Sequence, residues 1–466
     1  MTASRLLALL AALALPASAQ AQTLPQGGQA VIGSATETYA PGKLTTEQHS
    51  QHLLMEYDRL ESGAGTHWDI QQPNSAAAMI ARTRQTDPSV FDGRVTANGN
   101  VAILNPNGVM FGPNSTVDVN GLLATTGEID ESEFLNGRYV IDGVGANPDA
   151  AVVNRGRITI REGGWAALVA PRVENQGSIT ARLGRVALSS GDAVTVDPRG
   201  DGLIQFRAPL ARAPDGAAAL VTNTGTIRVE GGTVELSADA MEGVIENVVN
   251  ADGVISASSA TVRGGTVVLS GGRSGVVQVQ GDIDARSERA GDTGGRVVVS
   301  GKLIDVKSTA TVDASGAAGG GDIQIGGDLQ GAQTVVQGEA KENADAVRIA
   351  DGTRILANAL DVGDGGRVIV WSEGTTAFAA DIEARGGDNG GDGGFVEVSG
   401  KDFLAYVGLA DVRAPLGDLG TVLLDPTDIT ISNAPTSNFD LATFLVDPPT
   451  SLTSNINIAQ LLTQLG

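Results

Sequence analysis

The sequence predicts an all-β chain wound as a parallel β-helix, or β-solenoid, with an N-terminal β cap and one short helix. Two observations lead there. A small unit recurs as Asn154-Arg155-Gly156-Arg157-Ile158, Asn175-Gln176-Gly177-Ser178-Ile179 and Asn223-Thr224-Gly225-Thr226-Ile227, with a looser copy at residues 250–255. The first two copies are 21 residues apart, a spacing at which one supersecondary unit stacks on the next. Glycine is also abundant, at 63 of 466 residues, while aromatics are only 3%. These glycines fall between short Val/Ile/Leu-rich segments and not in long polar tracts, which favours many short strands joined by tight turns.

Residues 1–21 read as a signal peptide. Arg5 gives the positive start, residues 6–15 the Leu/Ala stretch, and Ala17-Ser18-Ala19 and Ala19-Gln20-Ala21 two small-x-small cleavage sites. The apolar run is about half the roughly 20 residues of a spanning helix, so stable membrane insertion is not expected. Residues 24–73 supply alternating segments that cap the first coil. Asn74 is expected to cap a short helix over 75–84, with Met79 and Ile80 inward.

Residues 92–126 hold the most informative stretch. Val101 and Ile103 lead into Asn105-Pro106-Asn107-Gly108, and Val109 and Phe111 resume the apolar pattern. Proline fixes φ, asparagine bonds to its own backbone, and glycine supplies positive φ without steric cost. Taken alone, these residues specify a tight turn between two strands.

Beyond the N-x-G-x-I units lie second elements of one kind. They are 165–169, 185–189, 233–237, 266–270, 296–300, 367–371 and 395–399, most of them preceded by Gly-Gly or Gly-x. Stacked coil on coil, each gives its backbone groups partners above and below. At roughly 20–25 residues and about 4.8 Å per coil, the rod is expected to reach about 80–100 Å. A sandwich or barrel of the same strands is the alternative. Residues 419–432 close the repeat, Pro435, Pro448 and Pro449 mark a linker, and residues 456–465 are amphipathic. The organisation expected is 1–21 signal peptide, 22–255 first solenoid domain, 256–432 Gly-rich solenoid repeats, and 433–466 linker and start of a downstream region of a longer natural polypeptide.

The chemistry available is limited. There is no cysteine, so stability must come from packing and backbone hydrogen bonds. A formal net charge of −23 argues against nucleic acid or an anionic lipid surface as partner. The three histidines, His49, His52 and His67, lie in segments read as extended, and no metal or cofactor site is expected from them. Residues 316–321 lack the Lys-Ser/Thr of a phosphate loop, and 386–395 does not fit a calcium-binding nonapeptide. The rival reading is a β-helix polysaccharide lyase or glycosidase, with Asp192, Asp197, Asp201, Asp239, Asp282 and Asp284 as the carboxylate pool. Turn aspartates look the same in a sequence.

The 105–108 turn, the following Val109-Met110-Phe111-Gly112, the upstream Asp87-Pro88-Ser89 and Gly93-Arg94, and the downstream 117–122 together resemble the haemagglutination activity domain of filamentous-haemagglutinin-like exoproteins of two-partner secretion. The NPNL motif that some members carry is absent, so no role of that motif transfers. The resemblance implies a right-handed solenoid and a secreted or surface-exposed, adhesin-like protein. It also implies, as partners, an outer-membrane β-barrel transporter with POTRA domains and a receptor on a host or neighbouring cell. Asn105, Pro106, Asn107 and Gly108 would then be the secretion-associated motif, and no enzyme activity is implied.

Overall fold

A computed structural model describes residues 23–200, 202–258, 264–433 and 454–459. The expected signal peptide, the three-proline linker, and the amphipathic segment beyond residue 459 lie outside the described residues. The rest is a parallel β-solenoid.

The coils have three faces. The first stacks strands such as Arg94–Ala97, Ser178–Arg182, Thr226–Glu230, Val254–Ser256 and Asp282–Asp284. The second stacks Asn100–Leu104, Arg185–Ser190, Thr233–Ala238, Thr266–Ser270 and Arg296–Ser300, and continues through Arg367–Ser372 and Phe395–Gly400. The third is an 11-stranded sheet running from Ser89–Phe91 to Phe403–Tyr406. All seven apolar segments singled out in the sequence fall on the second face.

In-register stacking puts like on like, because parallel pairing in a solenoid places each residue directly over its equivalent one coil below. Ile158, Ile179, Ile227, Ile255 and Ile283 form one inward column, and one continuous core cluster runs from Leu24 to Ile456. The third face carries a column that changes chemistry along its length. Phe91 and Phe111 stack at 5.8 Å; Asn154, Asn175 and Asn223 follow, then Ala251 and Val279. The Asn154 amide donates to Asn175 Oδ1 at 2.8 Å and the Asn175 amide to Asn223 Oδ1 at 2.7 Å. Here the N-x-G-x-I unit finds its meaning. Asparagine closes the third face, glycine turns the corner, and isoleucine opens the first. The looser fourth copy does not extend the ladder, because Ala251 and not Asn250 stands opposite Asn223.

The glycine of the unit is required by close approach. A Cβ on Gly225 would lie 2.2 Å from the Gly177 carbonyl oxygen. The same holds at the Gly-Gly corners before the second face, where a Cβ on Gly295 would lie 2.2 Å from Gly265 O.

Three expectations need correction. Residues 75–84 do not form a helix: Ala78–Thr83 is a strand paired with His52–Tyr57 on one side and Asn100–Leu104 on the other. Its apolar run arises because both sides are covered, Met79 by the coil interior and Ile80 by a second cluster outside it. Asn74 Oδ1 accepts instead from Ala76 N at 2.9 Å, a local turn. The short helix is Glu131–Leu135, capped by Asp130, whose carboxylate accepts from the Ser132 and Glu133 amides. Coil length also differs. Several early coils advance 21 or 22 residues, later ones without an insertion advance between 26 and 30, and coils carrying an insertion advance 45 or 48, so the 11-stranded face spans about 50 Å at about 4.8 Å per strand.

The N-terminal cap is antiparallel. Gln29–Ile32 runs against His52–Tyr57, and Ala35–Ala40 runs against Lys43–Gln48. A second element was not anticipated. Glu128–Ile129, Tyr139–Asp142, Ala193–Val196 and Ile204–Ala208 form a four-stranded antiparallel sheet outside the coils. It packs Ile141, Val194 and Val196 on the outward side chains of the second face, including Leu104, Leu123 and Ala167. The segments inserted to build it explain why Asn175 and Asn223 are 48 residues apart.

Candidate functional site

The Asn105, Pro106, Asn107, Gly108 turn joins Asn100–Leu104 on the second face to Val109–Phe111 on the third. Asn105 is fully buried. Its Oδ1 accepts from Asn107 N at 2.8 Å, and its carbonyl accepts from Gly108 N at 3.0 Å, which closes the turn. Its Nδ2 donates to Asp87 O and to Ser89 Oγ, both at 3.0 Å, in the coil below. Every hydrogen-bonding group of this asparagine is therefore used within the fold. Gly108 has φ +117, and a Cβ there would lie 2.8 Å from Ala151 O in the coil above.

Asn107 extends the same arrangement. Its Nδ2 donates to Gln85 O at 2.8 Å, while its Oδ1 accepts from Asn147 Nδ2 at 3.2 Å. Gln85 in turn accepts from Leu60 N at 2.9 Å through Oε1. The structure thus brings all four motif residues together with Asp87 and Ser89, and adds Gln85 and Asn147, which were not singled out. Nothing in the sequence pattern marks Asn147, since it reaches the turn from 40 residues downstream. The turn is a clamp between successive coils and leaves little free chemistry for a ligand.

The other sequence candidates are scattered. His49 bonds to Thr36 Oγ1 at 2.9 Å, His67 to Thr96 Oγ1 at 2.8 Å, and His52 stacks edge-on to Phe134. Asp192 Oδ1 accepts from Gly145 N, Asp197 Oδ1 accepts from Arg199 N and Gly200 N, and Asp284 accepts from Arg286. Burial holds the Asp239 carboxyl above its ordinary range. Asp201 lies outside the described residues. Among the described residues no group of three or more His, Asp or Glu side chains could hold a metal ion. No helix among them is long and apolar enough to cross a membrane.

Comparison with known proteins gives these features a family. The sequence profile of the TPS secretion domain matches residues 19–285, more than half of the chain. The chain belongs to the TPS secretion domain family. Among TPS relatives, a heme/hemopexin-binding protein of Haemophilus influenzae (strain ATCC 51907 / DSM 11121 / KW20 / Rd) is 28% identical over 260 residues, covering 54% of this chain and 28% of that protein. A second heme/hemopexin-binding protein of H. influenzae is 25% identical over 279 residues, covering 54% and 29% respectively. The chain thus spans less than a third of the length of either relative. The crystal structure of the HMW1 secretion domain from H. influenzae superposes with a TM-score of 0.70 at 24% identity, covering 86% of this chain and 100% of that one. This likeness bears out the all-β solenoid architecture of the TPS fold. Exoproteins of the TPS family are secreted across the outer membrane through a partner transporter there.

Proposed function

We propose that residues 22–255 act as the secretion address of an exoprotein, recognised in the periplasm by the POTRA domains of a dedicated outer-membrane β-barrel transporter. In this reading Asn105, Pro106, Asn107 and Gly108 form the motif that holds the address in coil register. The observation that carries it is the clamp itself: one turn whose side chains fasten residues 85–89 below and Asn147 above. A second support is the cap, whose strands Gln29–Ile32 and Ala35–Ala40 each pair on one side only. Such an edge can take up a partner strand. A chain without cysteine also has no disulfide-locked loop to obstruct threading, and coil-by-coil folding would bias transfer outward.

Residues 256–432 then serve as a spacer solenoid presenting an adhesin-like surface to a receptor on a host or neighbouring cell. A second reading, binding of heme or hemopexin, is favoured by the names of the two Haemophilus relatives.

The test is export from cells carrying the matching transporter, measured as the fraction of chain outside the cell. Asn107→Ile is expected to lower it, and unchanged export counts against a role for the turn. Binding of the purified wild-type and variant chains to POTRA domains separates two routes. A folded variant that no longer binds points to recognition, and a variant that binds but does not accumulate points to folding.

A further inference from the structure

The antiparallel sheet outside the coils does not close flush on the second face. Between them lies a cleft of about 210 Å³ lined by His52, Asn100, Asn120, Tyr139, Trp165 and Arg199, among others. At about 30 Å³ per water it holds roughly seven waters, the scale of a single sugar ring. Its walls come from both layers: Tyr139 from the outer sheet, Pro198 and Arg199 just beyond Ala193–Val196, and His52, Asn100, Asn120 and Trp165 from the coils.

Its polar groups are left open. Tyr139 is 3% exposed and Trp165 is 6% exposed, with ring centroids 5.3 Å apart. Neither the Tyr139 hydroxyl nor the Trp165 indole N–H has a hydrogen-bond partner among the described residues, and neither is a buried unpaired polar atom, so both open onto the cleft. Buried tyrosine and tryptophan normally find one. Asn120 spends its amide nitrogen on Ser75 O at 3.1 Å and Asn100 Oδ1 at 3.2 Å, leaving its own Oδ1 as an acceptor. At the mouth, the Arg199 guanidinium lies against Gly137 and forms no ion pair among the described residues.

The charge balance of the lining is opposite to that of the chain. In a protein of net charge −23, no carboxylate lines this cleft among the described residues. Burial, together with the neighbouring Arg199 charge, lowers the His52 imidazole from its ordinary range. The site therefore offers one cation at the rim, two donors opening onto it, one acceptor and the edges of two aromatic rings.

We propose that this cleft binds a hexuronic acid unit, with the ring against Trp165 and Tyr139, its hydroxyls on the Tyr139 hydroxyl, the indole N–H and Asn120 Oδ1, and its carboxylate on Arg199. A planar guanidinium matches a carboxylate through two parallel hydrogen bonds. Aromatic rings with a few placed polar groups are what a small-ligand pocket uses to orient its guest.

Saturation-transfer NMR on the full chain with methyl β-D-glucuronide tests this, with methyl β-D-glucoside and acetate as comparators. The glucuronide is expected to bind best. Arg199→Ala should weaken it by about tenfold, roughly the loss of one charge-assisted contact. Tyr139→Phe, which keeps the ring and removes only the hydroxyl, should weaken it severalfold. Arg199 is exposed, so its variant keeps the test valid if Tyr139→Phe does not fold. Absence of glucuronide binding at millimolar concentration, glucoside or acetate binding as tight as the glucuronide, or Arg199→Ala binding like wild type would each overturn the proposal.

Discussion

Asn175 donates its side-chain amide to Asn223 Oδ1 at 2.7 Å across 48 residues of sequence, and both side chains are completely buried. A polar column inside an otherwise apolar solenoid is tolerable only because each member satisfies the next.

Replacing Asn175 with Ala breaks the column on both sides. It strands the Asn154 amide below and the Asn223 oxygen above, at about 1–3 kcal/mol for each unpaired group. The urea midpoint is expected to fall, and to fall further than for Asn154→Ala, which interrupts one ladder bond. Equal midpoints for the two variants would contradict the ladder.

Gly225→Ala places a methyl 2.2 Å from the Gly177 carbonyl, an atom of the backbone that cannot swing aside. Overpacking of this kind costs about 1–3 kcal/mol. A thermal melt should show a lower midpoint for Gly225→Ala, while Ala218→Gly, at an exposed loop position, should change little.

Asn105→Ala removes a buried side chain that joins the 87–89 corner to the turn. The expected effect is increased amide hydrogen exchange at Ser89 and Asn107 with the downstream coils unaffected, because a solenoid coil contacts mainly its neighbours. Exchange rates unchanged at both amides would remove the register argument.

Glu397 is fully buried, and its carboxylate accepts from Gln330 N at 3.0 and 3.3 Å. Burial raises its pKa, so the folded protein holds a proton more tightly than the unfolded chain does. Stability from this group is accordingly greatest below the ordinary glutamate range and is lost as pH rises through the folded-state value. Glu397→Gln should raise the denaturation midpoint at pH 7, with the advantage shrinking as pH falls below that range. A variant less stable than wild type at pH 7 would reverse the sign.

Much of this architecture is legible in the residues. The seven apolar segments share a face, the N-x-G-x-I unit encodes a face end, a corner and a face start, and Asn105 to Gly108 form the turn their types require. What escaped has physical causes. Residues 75–84 read as a helix in the sequence because a strand covered on both sides, as Ala78–Thr83 is, loses the alternation that identifies strands. Residues 250–255 read as a looser copy of the unit, yet Ala251 stands opposite Asn223, because a one-residue slip is invisible in spacing but reverses the face. The outer sheet pairs segments more than 50 residues apart, such as Tyr139 with Val196, and no local pattern announces such a partner. Only the interval between Asn175 and Asn223 hinted that something had been inserted. The cleft beneath that sheet was invisible for the same reason.

The reversed direction of the two N-terminal strands has a further consequence for assembly. A coil arriving from another molecule would meet Gln29–Ile32 and Ala35–Ala40 running antiparallel to their own neighbours, the first with its register shifted between Ala30 and Ile32. Copies therefore cannot extend one another's in-register parallel ladder through this end. The coils have an origin from which they stack in one direction, while the strand edge at that origin stays open to a partner of the other orientation.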